Sequence, residues 1–111
     1  MYSFPPKKVS VQGHDFHLRY LDWEEVARHD ALVEKLKSDV KGKLKQSDPN
    51  FPKLVCSLLS LALCDEEGNR LYDDHDERIL KFPFRVSSVL YVAASKLNLV
   101  TADDIEAVKK N

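Results

Sequence analysis

Between residues 8 and 21, apolar side chains fall on every second position: Val9 and Val11, then Phe16, Leu18 and Tyr20. A period of two is that of a strand with one buried face. Gly13-His14-Asp15 parts the two runs with turn-forming residues, which predicts a β-hairpin. Two strands alone are marginal in water, so the apolar face of the hairpin must rest on helices.

The period then changes. Asp22 is a good N-cap, Glu25 three residues on suits a capping box, and Leu21 with Val26 can form a hydrophobic staple. Trp23, Val26, Leu32, Val33, Leu36, Val40 and Leu44 recur near helical spacing, opposite Arg28, Glu34, Lys35, Lys37, Lys41 and Lys45. The spacing predicts a helix over 22–46, with Gly42 weakening its last turn. Pro49 and Pro52 mark a loop, and Pro52 suits the first turn of a second helix over 52–64. That helix is apolar on nearly all sides, through Leu54, Val55, Cys56, Leu58, Leu59, Leu61, Ala62 and Leu63, so it must be covered. It is either the central helix of the domain or partly an oligomer interface.

Gly68 supplies left-handed backbone after it. Leu71 and Tyr72 read as an extended pair. Asp73 or Asp74 can cap a short helix over 74–82 with Ile79, Leu80 and Phe82 inward, which Pro83 ends. Phe84, Val86, Val89, Leu90, Ala93, Ala94 and Leu97 predict a helix over 83–98 with Asn98 as its C-cap. Thr101 and Asp104 open a last one over 102–110, carrying Ile105 and Val108. The expected fold is mainly α, of the α+β class: an N-terminal β-hairpin packed on a bundle of four to five helices. One domain spans 1–111, with 1–7 flexible, 8–21 the hairpin and 22–110 helical.

Composition narrows the function classes. With 43% hydrophobic and 32% charged residues, the chain is of globular type. Its net charge is -1, without the basic excess of a nucleic-acid binder. The longest apolar run, Leu54 to Leu63, is too short to span a bilayer, and the N-terminus lacks an apolar core of signal-peptide length. Placed on one helix, Cys56 and Cys64 would stand roughly 12 Å apart. That is beyond the reach of a disulfide, so reduced thiols and a cytoplasmic setting are expected.

Candidate chemistry changes little. From Asp65, an EF-hand loop would need Gly at position six and Glu at position twelve; Arg70 and Asp76 stand there. His14 and His17 point to opposite faces of a strand, and His29 and His75 are isolated. Cys56 and Cys64 sit among apolar neighbours, where a free thiol behaves as a small hydrophobe. No catalytic residue, metal site or cofactor is assigned. The acids at 73–77 favour helix capping and solubility over a basic partner. The aromatics Trp23, Tyr72, Phe82, Phe84 and Tyr91 sit mostly at element ends. Core packing is their first role, and partner anchoring their second, because interfaces favour Trp, Tyr and Phe.

The order of these pieces resembles the tail assembly chaperones of long-tailed bacteriophages. The likeness lies in Leu61-Ala62-Leu63-Cys64-Asp65-Glu66-Glu67-Gly68-Asn69-Arg70-Leu71-Tyr72, in Asp76, Ile79 and Leu80, and in the helix from Val86 to Leu97 with Leu97-Asn98-Leu99 at its end. Thr101 to Glu106 resembles the family's acidic tail. Phe82-Pro83-Phe84 is more aromatic than the family pattern, and Tyr2 to Lys8 has no counterpart in it. The resemblance implies a non-enzymatic protein of the host cell cytoplasm, absent from the mature virion. It would coat the tape measure protein, keep it soluble and give way to the tail tube protein. Further implied partners are a frameshifted longer form and other copies of the chain; neither nucleic acid nor membrane is expected. The aromatics Trp23, Tyr72, Phe82, Phe84 and Tyr91 are the candidate partner-binding residues. The competing class is a small regulatory or protein-interaction adaptor; a small enzyme comes third.

Overall fold

The computed structural model describes residues 4–40 and 49–99. Strands β1 (Lys7–Val11) and β2 (His14–Leu18) pair antiparallel, with Lys7 opposite Leu18 and Val11 opposite His14. The turn falls one residue earlier than the sequence suggested, on Gln12 (φ 50°) and Gly13 (φ 82°). Two left-handed residues in succession turn a hairpin with the twist its strands already have. Val11 and Leu18 are buried, and Val9 and Phe16 pack against the same core.

Helix α1 begins at Trp23 and is described to Val40. Its start is the expected reciprocal cap: the Glu25 amide donates to Asp22 Oδ1 (2.8 Å), and the Asp22 amide donates to Glu25 Oε1 (3.1 Å). The expected continuation over 41–46 lies outside the described residues.

Helix α2 (Phe51–Ala62) is the centre of the molecule: every residue from Leu54 to Ala62 is buried. Each of its large aliphatic side chains contributes on the order of 1.5–3 kcal/mol by leaving water. Of the two readings of this over-apolar helix, the central one is correct. Helix α1 covers one side, α3 (Phe84–Asn98) another and the turn at Glu77–Lys81 a third, while β1 of the hairpin packs against α3 and the same core.

The chain does not continue as helix through Leu63 and Cys64. Leu63 turns extended (ψ 127°), and the two residues form a short strand β3 (Leu63–Cys64) on the free edge of β2, with His17 opposite Cys64 and Leu18 opposite Leu63. The sheet order is β1-β2-β3, all antiparallel. Both cysteines are buried and free, Cys56 on α2 and Cys64 on β3. The acidic turn after β3 is closed by its own backbone. Asp65 Oδ1 accepts from the amides of Glu67 and Asn69 (both 2.9 Å), and Gly68 takes φ 91°. The Asp65 carboxyl is thereby held below the usual carboxylate range, first by the Asn69 amide.

The segment expected as a helix over 74–82 forms only a 3-10 turn (Glu77–Lys81). His75 in left-handed backbone (φ 55°) and Pro83 leave too few residues between them for an α-helix. Its cap is Asp76, which accepts from the Arg78 amide (3.0 Å), rather than Asp73 or Asp74. The Arg78 side chain forks onto the same carboxylate, pushing its pKa down to about 2. Ile79 faces inward, but Leu80 is exposed.

The expected bundle of four to five helices is therefore wrong. Among the described residues the fold is three α-helices, one 3-10 turn and a three-stranded antiparallel sheet. The bundle reading failed because Leu63-Cys64 leave the helix to complete the sheet, and because 74–82 lacks the length for a full helix. The helix expected over 102–110 lies outside the described residues.

Central burial predicts that Leu58→Ala lowers the unfolding free energy by about 2–5 kcal/mol in urea titration. The same truncation at exposed Leu80 should change it by only about 0.5 kcal/mol.

Candidate partner-binding surface

Two hydrogen-bonded knots hold the surface in place. In the first, Arg19 at the end of the hairpin forks onto Glu25, Nη1 to Oε2 at 2.9 Å and Nη2 to Oε1 at 3.0 Å. Nη1 also donates to the Leu61 carbonyl (2.6 Å), and the Arg19 amide donates to the Ala62 carbonyl (2.9 Å). Asn98 locks the same bend from α3: Oδ1 accepts from the Leu21 amide (2.8 Å), and Nδ2 donates to the carbonyls of Arg19 and Ala94 (both 3.3 Å). Hairpin, α1, α2 and α3 thus meet at one corner.

The expected face of α1 is largely the covered one, with Leu36 buried and Val26, Leu32 and Val33 half-buried, but it also takes in Glu25 and His29 and leaves Trp23 out. The buried positions are Glu25, His29 and Leu36, whereas Trp23 is 94% exposed. The second knot is built on His29. His29 is fully buried, with Nδ1 3.0 Å from Ser57 Oγ on α2 and Nε2 without a partner among the described residues. Ser60 Oγ donates to the Ser57 carbonyl (3.1 Å) and accepts from the His75 amide (3.0 Å). Arg70 donates to the Ser60 carbonyl (3.0 Å) and to Asp74 (2.7 Å), which also pairs with Arg28. A cavity of about 20 Å³ lies between Arg28, Ser57, Ser60 and His75, room for a single water. The paired His29 and Ser57 are both buried and join α1 to α2. Sequence reading passed over both knots. The only signal was that Glu25 and His29 stand four apart, on one helical face.

The five candidate aromatics divide. Tyr72, Phe82 and Tyr91 are half-buried and belong to the edge of the core. Phe82 stands between Phe16 (ring centroids 6.0 Å apart) and Tyr72 (6.3 Å), and the Arg78 guanidinium lies 5.2 Å from the centre of the Tyr72 ring. Tyr91 meets Phe51 edge-on at 5.5 Å, and burial pushes its phenol up. Only Trp23 and Phe84 (64% exposed) present their rings to solvent. Both were expected among apolar, inward-facing positions.

Phe84 opens α3 and shares its outer side with Val89 and Val92, a stripe set among Arg85, Ser88 and Lys96. Trp23 lies at the other end of α3, beside Asn98 and Leu99. Phe84 to Asn98 is one 15-residue helix, roughly 21 Å long at the helical rise. The two exposed rings therefore lie at opposite ends of α3. Beside Trp23 is a groove of about 460 Å³ lined by Leu21, Asp22, Val26, Asp30, Asn98 and Leu99.

Among the described residues, no three His, Cys, Asp or Glu side chains converge as metal ligands would, and no helix is long and apolar enough to cross a membrane. No protein-family model, curated protein or solved structure matches the chain.

Burial holds the His29 pKa below the ordinary histidine value. Asp30 opposes that shift and His75 adds to it. A lowered native pKa means the stability is fully present above the unfolded value of about 6.5 and is lost as pH falls through the native one. The melting temperature of the intact chain should therefore fall by several degrees between about pH 7.5 and 5, at about 4–8 °C per kcal/mol lost. His29→Gln, which cannot be charged, should show a flatter profile in the same melts.

Proposed function

We propose that this chain is a non-enzymatic tail assembly chaperone, which binds the tape measure protein, keeps it soluble and helps recruit tail tube subunits. It acts in the host cell cytoplasm and leaves before the virion is complete. The observation that carries the reading is the exposure of Trp23 and Phe84 outside a core that closes without them. A Trp ring left 94% in water gives the fold almost no burial energy, whereas Trp and Phe are the side chains that anchor interfaces. The resemblance of residues 61–72 and 86–99 to the chaperone family supplies the identity of the partner.

A tape measure protein is long and helical, so many copies of a small domain can line it. Each copy needs to hold only weakly, because linked contacts multiply. Copies of the chain beside one another, and a frameshifted longer form among them, fit the same arrangement. The α3 stripe of Phe84, Val89 and Val92 suits such side-by-side packing or a partner helix.

Co-expression with fragments of the tape measure protein tests the role. The intact chain should hold the fragments in the soluble fraction. Trp23→Glu and Phe84→Glu should each reduce that fraction by half or more while the variants stay folded, since both side chains are exposed. Fragments that precipitate despite the intact chain would overturn the assignment. Tyr72 is the wrong position for this test, because a charge there would also disturb Phe82 and Arg78.

A further inference from the structure

Trp23 is the single tryptophan of the chain, and it stands on the first residue of α1. Among the described residues no ring or cation packs on it. The groove beside it has an apolar floor of Leu21, Val26 and Leu99. One wall is rigid, because Asn98 has spent both ends of its amide on the backbone of Arg19, Leu21 and Ala94. The rim is acidic: Asp22 and Asp30 line the groove, and exposed Glu24 follows Trp23 in the chain. No lysine or arginine is among the described lining residues, although the chain as a whole carries 17 of them against 18 acids.

These features suit an occupant of definite chemistry. An indole face is the best aromatic platform for a cation, and carboxylates around it strengthen the attraction. Arginine, planar and weakly hydrated, stacks on such a ring more readily than lysine. The aliphatic floor alongside takes apolar side chains from the same segment, and a helix presents both kinds of residue one turn apart. We propose that the Trp23 groove receives an amphipathic helix of a partner protein, with an arginine or lysine set over the indole and its apolar neighbours on Leu21, Val26 and Leu99. The inference rests on the protein-binding reading above, but not on that partner being the tape measure protein.

The sole tryptophan reports on its own site. Two 18-residue helical peptides serve as probes, with the same leucine stripe and flanking positions that are arginine in one and glutamate in the other. Titrated into the full chain, the arginine peptide should shift the tryptophan emission to the blue and saturate. The glutamate peptide should bind at least tenfold more weakly. Raising salt from 50 to 500 mM should weaken the arginine peptide about fivefold or more, because the charges are exposed. With a labelled arginine peptide followed by anisotropy, Trp23→Ser and Asp30→Lys should each lose tenfold or more in affinity, and Leu80→Ser, at an exposed position outside the groove lining, should keep it. Equal binding of the two peptides, an unchanged affinity in Trp23→Ser, or no spectral shift with the arginine peptide would overturn the proposal. The titration decides the groove and the co-expression decides the chaperone role, so either can fail while the other stands.

Discussion

A twelve-residue helix with no polar face dictates this fold. Helix α2 cannot stand in water, and a small domain has only a few elements with which to wrap it. The hairpin, α1, the 3-10 turn and α3 are all placed by that need. Even its two serines are conscripted, Ser57 by His29 and Ser60 by the His75 amide. Buried hydroxyls are tolerable only because each has a partner.

Wrapping a helix from several sides requires sharp changes of direction, and the chain makes its sharpest one between Arg19 and Asp22. There a partly buried ion pair, an asparagine amide and a capping box converge. Such a pair adds little net energy over apolar packing, since both charges leave water. Its value is directional. Arg19 reaches Glu25 and the Leu61 carbonyl only if α1 starts at one angle. That angle turns Glu25 and His29 inward and swings Trp23 out, so the exposed surface follows from how the interior is tied.

Much of this was legible beforehand, and the failures have physical causes. Alternation found the hairpin, the capping residues found the start of α1, and uniform apolarity found α2. Periodicity counted apolar residues on α1 and so placed Trp23 inside along with Leu36, which is buried, and Val26, which is half-buried. It had no means of knowing that Glu25 and His29 would find Arg19 and Ser57 in space. Leu63 and Cys64 extended an apolar run and read as helix, because two residues carry no period and the vacant edge of β2 is invisible in the chain. For the aromatics, composition marked the right residue types. Which of them were surplus to the core depended on the rotation of helices, so Tyr72, Phe82 and Tyr91 fell to packing, and Trp23 and Phe84 to solvent.

The sheet ends on β1, a rim strand that begins Lys7-Lys8. Ammonium groups along such a border discourage another chain from zipping onto it by main-chain pairing. For a molecule proposed to crowd shoulder to shoulder along a common scaffold, this matters. Side-chain patches can meet and part again, while fusion of neighbouring sheets into an irreversible fibre is disfavoured from the outset.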